Sequence, residues 1–171
     1  HDDTKVIILK SGGDRTFCSG ASFDELIAIQ NVNEGLIFFS GFAHVINAMR
    51  KCPKFIIGRI QGKCVGGGVG LASAVDYAIA SNKAEIKLSE LAVGIGPFVV
   101  GPAVERKIGT GAFSALAIDA TSWRSTDWAK KKGMFAEVHE SIENMDEAVD
   151  RLANTLAQSN PQAMAEMKKT F

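Results

Sequence analysis

Three consecutive glycines, Gly66–Gly68, stand where one apolar segment ends and the next begins. A glycine-rich turn at the start of a helix exposes backbone N–H groups that have no partner within the helix, and the helix dipole adds positive charge there. Such groups can bind a phosphate or stabilise a developing oxyanion, while glycine also permits close packing. Neither glycine frame fits G-x-G-x-x-G, and Lys63 precedes the glycines instead of following them as in a P-loop. The residues argue against a nucleotide and leave an oxyanion site and close packing open.

A single carboxylate in an apolar setting is the second candidate for chemistry. Glu90 follows a predicted strand and precedes the loop AVGIGPF, so burial should raise the pKa of its carboxyl group and suit it to proton transfer. The alternative is a solvated glutamate at the end of a strand. We interpret the thiols of Cys18 and Cys64 as small apolar packing groups. We expect no metal site, because no histidine, cysteine and aspartate spacing resembles a ligand set.

Strands and helices alternate along the chain, which indicates an α/β layered architecture. A short loop at 17–21 and a capping box formed by Ser22 and Glu25 are predicted to precede the first long helix, which Pro53 closes. The glycine-rich segment is predicted to be a loop that leads into a helix. We predict strands at 5–11, 55–60, 77–80, 85–88 and 134–138, helices at 34–52, 67–75, 99–108, 111–120, 127–132 and 146–159, and a last helix opened by Pro161.

Composition and charge limit the class of protein and the kinds of partner that it can bind. The chain of 171 residues has 46% hydrophobic and 22% charged residues, which is typical of a globular domain and not of a disordered one. Lysine plus arginine equals aspartate plus glutamate at 19 each, so no net field attracts nucleic acid or an acidic membrane. No apolar run approaches the roughly 18 residues of a membrane span. Three cysteines do not make a disulfide framework, and we expect a cytoplasmic location.

Three segments together resemble a known family. The stretch IQGKCVGGGVGLASAVDYAIAS, from Ile60 to Ser81, is similar to the signature of the crotonase superfamily, the enoyl-CoA hydratase/isomerase family. FCSGASFDEL resembles its other oxyanion segment, and LSELAVGIGPFVVGPAVERKIG resembles the segment with its catalytic glutamate. The resemblance implies a crotonase-like α/β fold of repeated ββα units with a helical C-terminal region. Residues 1–140 would form a partial acyl-CoA-binding core and 141–171 the start of an assembly-forming helical region that packs on a neighbouring subunit, in a chain truncated at both ends.

The resemblance also implies roles for individual residues. The backbone N–H groups of Ala21 and Gly67 would stabilise a thioester oxygen as it becomes an enolate. Coenzyme A would contact Cys18, Ser19, Gly20 and Ala21, although Ser22 replaces the family's usual aspartate. The acyl pocket would include Gly70, Phe98 and Val99, with Val100 nearby as core or pocket lining.

The number of carboxylates bears on the reaction. Hydratases of this family use two glutamates, and Gly70 occupies the position of the first while Glu90 matches the second. One carboxylate can remove a proton at one carbon and return it two carbons away, so the resemblance favours double-bond isomerisation. An enoyl-CoA or methylglutaconyl-CoA hydratase and a catalytically silent acyl-CoA-binding homologue stay open. We expect a part in fatty acid metabolism, no permanently bound cofactor, coenzyme A as part of the substrate, and a homotrimer or hexamer.

Overall fold

Two parallel β-sheets form the framework of the protein. The computed structural model describes residues 3–171. The larger sheet has the order β1-β3-β5-β7 and consists of β1 (Val6–Lys10), β3 (Phe55–Ile60), β5 (Tyr77–Ser81) and β7 (Glu137–His139). The smaller sheet has the order β2-β4-β6 and consists of β2 (Thr16–Cys18), β4 (Lys63–Val65) and β6 (Ile86–Lys87).

Helices connect and cover these strands. They are α1 (Phe23–Ile27), α2 (Val32–Lys51), α3 (Gly67–Ala74), α4 (Gly101–Ile118), α5 (Thr126–Lys131), α6 (Ile142–Ala157) and α7 (Pro161–Lys168), with a 3₁₀ turn at Glu90–Val93. Three times in succession a strand of the larger sheet is followed by a strand of the smaller sheet and then by helix. The predicted fold of repeated ββα units is therefore confirmed. Within residues 3–171 no helix has the length and hydropathy needed to cross a bilayer.

The observed boundaries differ from the predicted ones where elements are short or capped. Strand β2 overlaps the start of the loop predicted at 17–21, and β4 lies in the loop predicted before Gly66. Each strand is only three residues long, which is too short for a periodic pattern. Helix α6 starts four residues before the predicted 146, because Ser141 Oγ accepts a hydrogen bond from Asn144 N at 3.1 Å. The capping box at Ser22 is confirmed, since its Oγ accepts from Glu25 N at 3.3 Å.

The two helices predicted around 99–120 are joined in α4, yet the interruption between them exists. Gly109 has φ 78° and ψ 157°, which is not helical, and it separates the two halves of α4. A positive φ of this kind is accessible to glycine at little steric cost. The prediction of two helices with a break between 108 and 111 is therefore confirmed.

The C-terminal region packs on the larger sheet of its own chain. Ile57 and Ile79, on the neighbouring strands β3 and β5, form a buried cluster with Met145, Ala148 and Val149 of α6. The expectation that this region does not pack on its own core is therefore wrong for α6, whereas contact with a neighbouring subunit stays a prediction. The apolar stripe of α6 needed an apolar partner, and the face of the larger sheet provides one. The division at 140 and an assembly role for the region stay predictions.

Candidate active site

The glycine triplet forms the N-terminus of α3. Gly66 has φ +52° and precedes the helix, and Gly67 is its first residue. Gly66 N donates to the carbonyl oxygen of Lys87, which fixes the turn to β6. The next amide, that of Gly67, makes no hydrogen bond within residues 3–171. It is one of the unpaired N–H groups that a helix N-terminus offers to an anion.

The segment after β2 lies directly against this turn. Gly20 has φ +88°, and a β-carbon built on it would lie 3.1 Å from both Gly67 N and the carbonyl oxygen of Val65. Only a residue without a side chain fits between these backbone groups. Ala21 follows immediately, and its amide also makes no hydrogen bond in the part of the chain that the structure describes. The fold thus brings the two predicted oxyanion segments together.

The glycines also serve close packing, which the residues alone had left open. A β-carbon on Gly67 would lie 2.6 Å from Cε1 and Cζ of Phe42, and one on Gly68 would overlap the carbonyl oxygen of Cys18. Helix α3 can approach α2 and β2 this closely only because both positions lack side chains. The two interpretations are therefore compatible: packing excludes side chains, and the same bare backbone leaves the Gly67 amide accessible.

Glu90 lies beside the glycine turn. A β-carbon on Gly66 would be 3.4 Å from Glu90 Oε1 and 3.6 Å from Ser89 Oγ. Glu90 Oε2 is buried and has no hydrogen-bond partner among the described residues. Burial raises the pKa of the Glu90 carboxyl group above its usual value, against a smaller lowering effect from a hydrogen bond with its own backbone N–H. The raised pKa predicted from the apolar surroundings is confirmed.

A cavity of about 200 Å³ joins these groups. Six residues of the predicted site line it: Ser19, Gly20, Ala21, Gly67, Glu90 and Val99. Helices α1 and α2 add four aromatic side chains, Phe23, Phe38, Phe39 and Phe42, and the segment 93–100 adds further apolar residues. No lysine, arginine or histidine belongs to the described lining. No group of three potential metal ligands occurs anywhere in residues 3–171.

Three residues of the predicted site lie outside this cavity. Cys18 ends β2, and its Sγ accepts a weak hydrogen bond from Gly20 N at 3.5 Å. Phe98 is 85% exposed, with its ring against Gly96. Gly70 is buried behind Val100: a β-carbon on it would lie 2.6 Å from Val100 Cβ. Gly70 and Phe98 therefore do not line this cavity, whereas Val100 does, and the position of an acyl group stays a prediction.

Sequence reasoning did not identify the aromatic wall or Ser89 as parts of the site. Phe38 and Phe42 are spaced one helical turn apart, so the pattern indicated a helix face without saying what that face covers. Ser89 directly precedes Glu90 and lines the cavity with it. The signal that could have found it is its position within the segment that resembles the family's catalytic region.

The residues that line the cavity include two with unpaired backbone N–H groups within 3–171, one with a buried carboxyl group, and several with apolar side chains. The N–H groups can stabilise an oxygen that becomes negative. The carboxyl group can accept and return a proton, and its raised pKa makes its carboxylate a stronger base than that of an ordinary glutamate. This combination fits chemistry at a carbon next to a carbonyl group.

Comparison with known proteins agrees with this arrangement. A peroxisomal Delta(3,5)-Delta(2,4)-dienoyl-CoA isomerase of Arabidopsis thaliana is 27% identical over 183 residues, which cover 98% of this chain and 64% of that protein. A mitochondrial 3-hydroxyisobutyryl-CoA hydrolase of Bos taurus is 31% identical over 112 residues, covering 62% of this chain and 29% of that protein. The chain thus spans from 29% to 64% of the length of these relatives.

Solved structures share the fold of this chain closely although their sequence identity to it is low. The crystal structure of an enoyl-CoA hydratase from Bacillus anthracis superposes with a TM-score of 0.89 at 28% identity, covering 97% of this chain and 64% of that one. The family model described as enoyl-CoA hydratase/isomerase matches residues 1–171. The resemblance stated from the three sequence segments is therefore confirmed, and the chain belongs to the enoyl-CoA hydratase/isomerase family.

Proposed function

We propose that the protein acts on an acyl-CoA thioester and moves a carbon–carbon double bond through an enolate, with Glu90 as the single acid and base. The observation that carries this proposal is the position of the Glu90 carboxyl group beside the Gly66–Gly67 turn, with Oε2 buried and unpaired. The similarity to a dienoyl-CoA isomerase, which covers 98% of this chain and 64% of that protein, supports the same class of reaction.

The thioester carbonyl oxygen would accept hydrogen bonds from Ala21 N and Gly67 N. Both amides are without partners in residues 3–171, and both residues line the cavity. Their hydrogen bonds would strengthen as the oxygen becomes negative, and each such donor is typically worth about 3 kcal/mol toward the transition state. The N-terminus of α3 adds favourable partial positive charge.

Glu90 would carry one proton between two carbons. Its carboxylate removes a proton from the α-carbon of a 3-enoyl thioester, and the electron pair of that C–H bond moves into a dienolate held by the two amides. The carboxylic acid then returns the proton to the γ-carbon, which leaves the double bond between the α- and β-carbons. No water enters the product, and the carboxylate is regenerated.

The shape of the cavity favours this reaction over water addition. Hydration needs a water molecule activated at the β-carbon as well as a proton delivered at the α-carbon, and two carboxylates would divide that work. Among the described lining residues Glu90 is the single carboxylate, and Val100 fills the space in front of Gly70. Installing a second acid at position 70 would require that valine to move.

The lining also favours a neutral acyl group. A substrate with a second carboxylate, such as methylglutaconyl-CoA, would place that charge near Glu90 in a cavity whose described lining has no cationic side chain. An unpaired charge in such a site is strongly disfavoured. We therefore rank methylglutaconyl-CoA hydration below isomerisation of a simple enoyl group.

Product analysis in heavy water tests the proposal. The wild type and Glu90→Gln would be incubated with a 3-enoyl-CoA and with crotonyl-CoA, and the products identified by mass spectrometry. We expect the wild type to convert the 3-enoyl-CoA into the 2-enoyl isomer, and Glu90→Gln to lose about 10²–10⁴-fold of that rate. Net addition of water would identify a hydratase instead, and no turnover by the wild type would favour a silent acyl-CoA-binding homologue.

Assembly and location belong to the same proposal. We propose a homotrimer or hexamer, which the family resemblance supports, and a cytoplasmic location, which the three free thiols support. Light scattering of the purified protein and imaging of a tagged copy in its own cell would test them separately from the chemistry.

A further inference from the structure

The catalytic cavity shares a wall with a second apolar depression. This depression, here called the α2 groove, has a volume of about 540 Å³ and lies over α2 between α1 and α3. Ala21, Ser22, Phe38 and Phe42 line both spaces. The aromatic rings are the bulky members of this shared wall, so they separate the cavity from the groove.

Within that wall, Phe42 is the residue whose ring lies between Gly67 and the α2 groove. Its ring packs on the oxyanion glycine, since a β-carbon on Gly67 would lie 2.6 Å from Cε1 and Cζ of the ring. Beyond the ring, the groove is lined by Ile37, Val45 and Leu71, with open space beside Gly41. Removing the ring would therefore join a space next to the reacting carbonyl to an apolar channel along α2.

The chemistry of the groove fits an alkyl chain. Its described lining carries one ionisable side chain, Glu25, and is otherwise apolar apart from Ser22. Ile37 is 76% exposed and Val45 48% exposed, so apolar surface there is available for burial. Each methylene of a chain that extends into the groove would gain about fourfold in affinity, the equivalent of ~0.8 kcal/mol.

We propose that Phe42 is a specificity-determining residue that limits the length of the acyl group by closing the cavity against the α2 groove. This inference rests on the proposed function, because the occupant is the acyl chain of a CoA thioester. With the ring in place a short chain is enclosed between the aromatic residues and Val99 and Val100. Without the ring a long chain passes into the groove.

Equilibrium binding of saturated acyl-CoAs tests this proposal independently of turnover. Calorimetric titration of butanoyl-, hexanoyl-, octanoyl- and decanoyl-CoA would be compared among the wild type, Phe42→Ala and Phe39→Ala. Phe39 is the matched control, because it lines the cavity and not the groove. We expect the ratio of decanoyl to butanoyl affinity to rise at least tenfold in Phe42→Ala and to change less than threefold in Phe39→Ala.

A charge in the groove provides the second measurement. Val45→Asp lies in the groove alone and should leave the chain-length ratio of the wild type unchanged. Combined with Phe42→Ala, it should abolish the gain in affinity for decanoyl-CoA. If the alanine variant folds poorly, Phe42→Leu replaces it, and we expect that variant to give an intermediate decanoyl-to-butanoyl affinity ratio. An unchanged ratio in both Phe42 variants, or an equal gain in Phe39→Ala, would overturn the inference. Absence of any acyl-CoA binding by the wild type would instead reject the proposed function.

Discussion

Gly70 and Val100 occupy one volume between α3 and the start of α4. A β-carbon on Gly70 would lie 2.6 Å from both Cβ and Cγ1 of Val100 and 3.5 Å from Ile46 Cδ1. The absence of a side chain at position 70 and the presence of a branched one at position 100 are therefore a single structural feature. It places an apolar side chain, that of Val100, in the lining of the cavity.

We predict a favourable interaction free energy between substitutions at positions 70 and 100 in a double-mutant cycle. Gly70→Glu alone should destabilise the protein by about 1–3 kcal/mol or more, because the new side chain overlaps Val100. Val100→Gly alone should also destabilise it by opening a cavity. The double variant should be more stable than the sum of the two changes predicts, as measured by urea denaturation. Additive effects would show that the two side chains do not share this space.

The double variant Gly70→Glu with Val100→Gly should also gain hydratase activity. A glutamate at position 70 with room in front of it would supply a second carboxylate, so water addition to crotonyl-CoA should increase relative to the wild type. The matched control is Gly70→Gln with Val100→Gly, which has the same shape and no carboxylate. Equal hydration by the glutamate and glutamine variants would reject this explanation for the missing acid.

The raised pKa of Glu90 predicts a cost in stability that depends on pH. The folded protein retains this proton at pH values where the unfolded chain has released it, so the group's contribution to stability falls as pH rises from the usual 4.5 through the raised pKa. Glu90→Gln stays neutral and should therefore gain stability over the wild type between acidic and neutral pH. Urea denaturation at pH 4 and pH 8 measures the difference, and Glu147→Gln, at an exposed position of α6, is the control.

The rate of the reaction should rise with pH, whereas the contribution of Glu90 to stability falls. Only the carboxylate form of Glu90 can remove the first proton, so kcat/KM should rise with pH and level off above an apparent pKa higher than 4.5. One carboxylate predicts one ascending limb. A pantetheine thioester, which lacks the 3′-phosphate of coenzyme A, removes the titration of that phosphate from the profile. A bell-shaped profile with this substrate would indicate a second essential group.

Local sequence determined the elements that are long or capped and the residues of the two oxyanion segments. The buried run Phe55–Ile60, Pro53 after α2 and Ser22 before α1 each have a local physical signal. Glu90 was found because its surroundings are apolar and its segment resembles a family motif. In each case the information lies within a few neighbouring residues.

What could not be predicted depends on contacts between distant segments. Phe42 reads as one apolar position on a helix until the structure places its ring on Gly67. The family resemblance predicts Gly70 in the acyl pocket, and nothing in the sequence indicates that Val100 lies in front of it. The apolar stripe of α6 was visible, but its partner on β3 and β5 was not. These relationships arise from packing between distant segments. The sequence determines that packing, but no local pattern in it shows which segments meet.

The ion pair between Lys168 and Asp76 gives a final prediction about stability. Lys168 Nζ donates to Asp76 Oδ2 at 2.7 Å and to the carbonyl oxygen of Lys54 at 2.9 Å, and the same Asp76 oxygen accepts from Ile56 N at 2.7 Å. The two side chains are only 5% and 13% exposed. Removing the lysine would leave the largely buried Asp76 carboxylate without its ion-pair partner, with the Coulombic attraction of Arg106 and Lys107 remaining.

Lys168→Met should therefore lower the free energy of unfolding by about 3–5 kcal/mol. Lys169→Met is the matched control, because its partner Glu166 and its own side chain are both more than 60% exposed, and it should cost about 0–1 kcal/mol. Adding Asp76→Asn to Lys168→Met should recover part of the loss, since the carboxylate left without its ion-pair partner is removed. Chemical denaturation of the four proteins measures these differences, and equal losses in the two lysine variants would show that α7 is not held to the core by this pair.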